Sequence, residues 1–209
     1  MKIVGWQTLY PVKHTTHADP DKYKYPYLLK GLVINQANQV WEIDITYIPM
    51  EHGFMYLFAI IDVHIRYVVG WGLSNSMTAE WCVSLIEQAI ATHGVPQIIN
   101  SDQGSQFTSD TYVALLKTNG IKISMDSKGR AIDNIYIERL WRSVKYENIY
   151  LFVYSNGKAL HEGLDAYFTF YNMKRPHQGL DNKIPWDMYS KREKILLLLK
   201  THIKSINLN

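Results

Sequence analysis

Three carboxylates, Asp44, Asp102 and Glu138, occupy positions from which they could act together. Asp44 lies within the alternating run Trp41-Glu42-Ile43-Asp44-Ile45-Thr46-Tyr47, on the side opposite the isoleucines. Asp102 follows a short apolar segment, and Glu138 falls about one turn into a long amphipathic helix. Mg²⁺ requires hard oxygen ligands and keeps part of its water shell for substrate phosphates. Three converging carboxylates repel one another and resist ionisation until a cation neutralises them. Two divalent ions about 4 Å apart could then activate an attacking oxygen and stabilise a leaving one at a phosphodiester.

Spacing alone does not select these residues. Asp102 and Glu138 have 35 residues between them, but so do Asp44 and Glu80, and Asp126 and Glu162. Context separates the pairs. Glu80 lies near a helix start, where a carboxylate favours the helix dipole. Asp126 lies in a polar loop, which is ordinary for aspartate. Asp102 instead emerges from an apolar strand and runs into Gln103-Gly104-Ser105-Gln106-Phe107.

On the helix of Glu138, the residues Ile137, Leu140, Trp141 and Val144 form the core face. Arg139, Ser143 and Glu147 lie opposite, on the expected solvent side, and Glu138, Arg142 and Lys145 share a stripe along one border. An acid followed on the same side by two cations suits a metal site continuing into a phosphate track. An exposed Glu138–Arg142 pair worth about 0.3–0.5 kcal/mol explains the same stripe more simply.

The elements that must position these residues can be read from periodicity. Trp41 to Tyr47, Phe54 to Ile61 and Tyr67 to Leu73 read as an antiparallel meander, with the second strand apolar on both faces and therefore central. A helix over Thr78 to His93 ends at Gly94, with Pro96 beyond it. A strand over Val95 to Asn100, a helix capped by Ser109, and a strand over Ile121 to Met125 follow. The long helix is expected to begin at an Asp133 cap and run to about Tyr146, with another helix over Lys158 to Asn172. This order predicts an α/β fold with a five-stranded mixed sheet flanked by helices. The expected division is an irregular N-terminal arm over 1–37, a core over 38–152, and a helical C-terminal segment and tail over 153–209.

Composition excludes several classes. A chain of 209 residues that is 47% hydrophobic and 20% charged can bury a core, which argues against global disorder. The single cysteine, Cys82, allows no disulfide framework and reads as a core residue. The net charge of +3 is compatible with nucleic acid. The longest apolar run, Phe54 to Ile61, is too short to span a membrane, and no secretion signal follows Met1. A cytoplasmic protein with no membrane partner is the resulting expectation.

Four further strings join these motifs. Trp41 to Ile48, Ser101 to Phe107, Asp133-Asn134 with Glu138-Arg139-Leu140-Trp141, and Tyr171-Asn172 with Arg175-Pro176-His177 occur in one order, preceded by Tyr25-Pro26-Tyr27-Leu28-Leu29. Together they resemble the OrfB-type transposases of insertion sequence family three, over nearly the whole chain up to about Tyr189. The resemblance implies a retroviral-integrase-like, ribonuclease-H-like core with Asp44, Asp102 and Glu138 as catalytic and metal-binding triad. It implies two Mg²⁺ ions, with Mn²⁺ as a substitute, DNA cleavage at element ends, and transfer of the freed 3′-hydroxyl to target DNA. A homo-oligomer on DNA is the mechanistic expectation, since two ends are held together. Lys128, Arg130, Arg142 and Lys145 are the candidate DNA contacts, with a solvated loop as the competing reading for the first two. Asp62 and Asp133 read as turn and cap residues, and the tyrosines read chiefly as packing.

Two departures from the family pattern stand out. Asn100 occupies a position that is often His, and Asn cannot serve as an acid–base group. Longer members carry helices upstream of the point where this chain starts, and a companion subunit often supplies helix-turn-helix DNA recognition. The alternative to an active transferase is therefore a truncated or inactive remnant that only binds DNA or its partner subunit.

Overall fold

The computed structural model describes residues 25–126 and 133–191. Lys128 and Arg130, the leucine-rich tail near Leu196 and most of the N-terminal arm lie outside the described residues.

The meander forms as the alternation requires. Strands β1 (Val40–Pro49), β2 (Phe54–Asp62) and β3 (Val68–Ser74) pair antiparallel. Gly53, at φ +84°, closes the β1–β2 turn, a conformation that costs glycine little. Helix α1 (Ala79–His93) follows, capped by the Thr78 hydroxyl, which accepts from the Trp81 amide. Then come β4 (Ile98–Ser101), α2 (Asp110–Thr118) capped by Ser109, and β5 (Lys122–Met125). The sheet order is β3-β2-β1-β4-β5, with β4 and β5 parallel to β1. β2 is therefore interior, as its two apolar faces require.

The two faces of the sheet are covered differently. Trp41, Ile43, Phe58, Ile60, Ile99 and Ile123 form one core with α1 and α2, and Cys82 is buried within it. Gly72 lets α1 approach closely, since a Cβ there would meet the Leu85 side chain at 2.5 Å. The other face carries Ile48, Leu57, Ala59 and Ile61 beneath α3 (Ile135–Val144) and α4 (Gly157–Met173). Residues 185–191 form a final helical turn, whose Tyr189 stacks on Tyr67 with ring centroids 4.6 Å apart. Residues before β1 pack on the sheet: Leu28 and Leu29 lie against Val40, Val63 and Ile98, and the Leu28 amide donates to Ser124 Oγ.

Two expectations about the long helix need correction. It begins at Ile135, and Asn134, its N-cap residue, makes no side-chain capping bond. The helix is capped from outside, as described below. Beyond Val144 it also widens into a π-type turn over Lys145–Ile149. Glu147 on that turn is not on an open face. It accepts from Arg175 Nε at 2.8 Å and from the Tyr167 hydroxyl at 2.9 Å, so α4 and the segment after it cover this side.

Candidate active site

The register of the parallel strands assembles the acids. Glu42 pairs with Asn100, and Asn100 with Ser124. Continuing that register by two residues places Asp44, in the middle of β1, in one row with Asp102 and Asp126, which lie just past the ends of β4 and β5. This is the carboxyl edge of the parallel strands, where α/β folds collect their sites. The charges confirm the row. Burial pushes the Asp44 carboxyl up to about 6, and the charges of Asp102 and Glu138 push in the same direction. Burial raises Asp126 to about 7, with Asp133, Asp102 and Asp44 adding to it. Asp102 is exposed at the rim. Crowding by the surrounding chain still raises its carboxyl, against the Gly104 amide that donates to Oδ1 at 2.9 Å.

The helix bearing Glu138 is fastened to β1 by a seam of three hydrogen-bonded steps. Glu42 Oε2 accepts the amides of Tyr136 and Ile137, each at 2.9 Å. Asp44 Oδ2 accepts the indole N–H of Trp141 at 2.8 Å. Thr46 Oγ1 accepts from Lys145 Nζ at 2.8 Å. The steps match because alternate strand residues are about 6.7 Å apart and four helical residues rise about 6 Å. Glu42 therefore supplies the cap that Asn134 does not. Only 1% of it is exposed, and burial pushes its carboxyl up to about 8 despite the two amides that favour the charged form.

Asn100 is a second fastening point. It is fully buried; its Nδ2 donates to Asp126 Oδ1 at 2.8 Å and to the Asp133 carbonyl at 3.1 Å. Its Oδ1 accepts from Ser124 Oγ at 2.7 Å. The side chain thus ties β4 to β5 and to the start of α3. At this position an amide performs a structural task that needs no acid–base group.

Asp44 and Asp102 come together, and Glu138 lies exposed on α3 within the field of Asp44. Arg142 is exposed and Lys145 is half-buried against Thr46. Asp62 is a turn residue: Oδ1 accepts the His64 and Ile65 amides, and Oδ2 the Asn38 amide. Asp126, read as an ordinary loop aspartate, belongs to the acid row instead. The sequence signal that could have found it is the equal offset of Asp102 and Asp126 from the ends of two apolar strands.

Among the described residues, no group of three His, Cys, Asp or Glu side chains is placed to hold a metal ion as it stands. The donor set nevertheless has the chemistry a hard divalent cation selects. Asp44, Asp102 and Glu138 offer carboxylate oxygens, and their mutual repulsion is what such a cation relieves.

Comparison with known proteins fits this geometry. The family described as Integrase core domain matches residues 34–131, and a second family of the same description matches 119–185. The chain is similar to the transposase for insertion sequence element IS904 of Lactococcus lactis, 37% identical over 187 residues, covering 82% of this chain and 74% of that one. It is 33% identical over 142 residues to transposase InsF for insertion sequence IS3A of Escherichia coli, covering 67% of this chain and 49% of the relative. In fold it resembles the HTLV-2 integrase catalytic core domain, solved in complex with magnesium, at TM-score 0.61 and 20% identity over 73% of this chain and 97% of that one. The BIV integrase catalytic core is similar at TM-score 0.61 and 19% identity, over 77% and 99% of the two chains.

Proposed function

The chain belongs to the insertion-sequence transposases built on an integrase core, and on that premise we propose that it cuts DNA at element ends and joins the freed 3′-hydroxyls to target DNA. Asp44, Asp102 and Glu138 hold Mg²⁺ in this reading, as two ions that Mn²⁺ can replace. The HTLV-2 core solved with magnesium supports the choice of ion. When bound, the metal supplies activation of the attacking oxygen and stabilisation of the leaving one.

The chain's own residues orient and bind. The Trp141 indole fixes Oδ2 of Asp44. The Gly104 amide holds Asp102 Oδ1 at the rim. Glu42 fixes the start of α3 and, through it, the position of Glu138. Arg142 and Lys145, with Lys128 and Arg130 earlier in the sequence, hold backbone phosphates as charge-neutralising contacts. Arg142 is a guanidinium suited to bidentate phosphate contact, while Lys145, pinned by Thr46, acts as a point charge.

The protein works in the cytoplasm as a homo-oligomer that holds two ends, with a companion helix-turn-helix subunit supplying end recognition. The division into arm, catalytic core and C-terminal helical segment fits that reading. Among the described residues no helix is long and apolar enough to cross a membrane.

The observation that carries the proposal is the register that brings Asp44 beside Asp102 while the same strand fastens the helix of Glu138. The test is joining of a labelled element-end oligonucleotide to plasmid DNA with Mg²⁺ or Mn²⁺, with the companion subunit present. Joined product from the parent and none from Asp102→Asn or Glu138→Gln is expected. Equal joining by parent and variants would overturn the assignment, and DNA binding without joining by any of them would identify a remnant.

A further inference from the structure

A second flank of helix α3 begins at Arg142, which borders the stripe of Glu138 and Lys145. A cleft of about 440 Å³ opens there between α3, the β2–β3 turn and the segment after α4. Its walls carry Arg66, Arg139, Arg142, Arg175 and His177, and among the described residues no acidic side chain lines it. The four arginines come from three separate parts of the chain, so the concentration of charge is a product of the fold and not of a local basic run.

Two of the guanidiniums are already held in place. Arg175 is bonded to both oxygens of Glu147, with Nη2 to Oε1 at 2.6 Å and Nε to Oε2 at 2.8 Å. Arg66, at φ +58°, lies with its guanidinium carbon 3.9 Å from the centre of the Tyr136 ring. Among the described residues Arg66, Arg139 and Arg142 make no ion pair, and the nearby acid, Glu147, is committed to Arg175. The field is strong enough to act on His177. Burial, with Arg175 and Arg66 alongside, pushes its imidazole down to about 4, so it is neutral near pH 7 and offers one donor and one acceptor. Uncompensated guanidiniums in a preformed cleft call for a ligand with several negative charges, and planar forks suit phosphate oxygens.

We propose that this cleft binds the phosphodiester backbone of the DNA strand that crosses α3 from the acid row, with Arg66, Arg139 and Arg142 as its principal phosphate ligands. This rests on the function proposed above and adds to it a second anchoring point for the same strand. A helix with its side chains is about 10–12 Å across. Phosphates of one strand advance about 3.4 Å each along the axis of a DNA duplex, so roughly three of them cover that width where the duplex axis crosses α3. Glu138 and Arg139 are neighbours on the exposed crest, one within the field of the acid row and the other lining the cleft. Because the Arg66 guanidinium is already held over Tyr136, less ordering of that side chain opposes binding.

The experiment measures affinity of the whole chain for a mixed-sequence DNA duplex across a salt series in EDTA, for the parent, Arg139→Gln, and Arg66→Gln with Arg139→Gln. Each lost phosphate contact should reduce the slope of log affinity against log salt by about 0.9, so the double variant should lose about 1.8. Should the variant of Arg66 fail to fold, Arg139→Gln on the exposed helix surface carries the test alone. An unchanged slope in a variant that still binds, with the parent active in end joining, overturns the cleft and leaves the acid site intact. A parent that binds no DNA overturns both.

Discussion

The two sides of strand β1 attach it to the rest of the molecule in opposite ways. Trp41, Ile43 and Ile45 face α1 and α2 through apolar contact, with Ile43 fully buried. Glu42, Asp44 and Thr46 face α3, and each is joined to it by a directed hydrogen bond. Apolar contact is non-directional and holds the layers together. Hydrogen bonds of fixed length set where one residue of the helix stands against one residue of the strand. The fold thus puts bulk stability on one side and positional accuracy on the side where the carboxylates must meet.

Substitutions on the two sides should therefore separate stability from activity. Ile43→Ala should lower the unfolding free energy in urea by about 2–5 kcal/mol, the range for truncating a fully buried aliphatic side chain. End joining well below the unfolding transition should survive. A variant that stays folded yet joins no ends would show that the apolar side also positions the site. Glu42→Ala should cost about 1–3 kcal/mol, because two buried amides lose their acceptor. Here joining should fall further than stability does, since the start of α3 is released. Glu42→Gln, which keeps a carbonyl acceptor, should restore most of the joining, and failure to do so would point to the charge instead of the bond.

The same seam predicts a pH dependence. Glu42, Asp44 and Asp126 have carboxyls raised to about 8, 6 and 7. A carboxyl raised in the folded state binds protons that the unfolded chain has already released. Its contribution is complete below the ordinary carboxylate range and is lost as pH rises through the folded value. Unfolding free energy measured in EDTA should therefore fall from about pH 4 to about pH 8. Asp126→Asn should flatten the part of that slope near neutrality; an identical profile would remove Asp126 from the acid row.

Thr46→Val removes only the acceptor for Lys145 Nζ, so a loss of about 0.5–1.5 kcal/mol is the upper expectation. The smallest effect belongs far from the seam. Lys158 and Glu162 approach to 3.9 Å on α4, with 87% and 68% of their side chains exposed. Lys158→Ala should change stability by under about 0.5 kcal/mol. A larger loss would mean that directed surface contacts matter as much as those on β1.

Much of this contrast was legible in the sequence. The alternation in Trp41 to Tyr47 separates the two sides of β1, and the apolar run of β2 marks it as interior. Asp102 and Glu138 stand out by their place after a strand and near a helix start, and Asp44 by its place on the polar side of β1. What could not be read is what depends on pairing between distant segments. The cap of α3 is Glu42, 94 residues before Tyr136, so local capping rules pointed to Asp133 instead. Asp126 joins the acid row only once β5 lies in register beside β4. Glu147 appeared solvent-facing because helical periodicity does not reveal that Arg175 will fold over it. The basic cleft was hidden for the same reason, its arginines lying as far apart as Arg66 and Arg175 in the chain.

The most direct test of the central claim is calorimetric titration of Mn²⁺ into the whole chain and into Asp44→Asn, Asp102→Asn and Glu138→Gln. If the three carboxylates act as one metal site, the parent should bind the ion and each single substitution should weaken binding at least tenfold while the unfolding midpoint in EDTA stays within a few degrees of the parent or rises. Equal binding by the parent and all three variants would contradict the account.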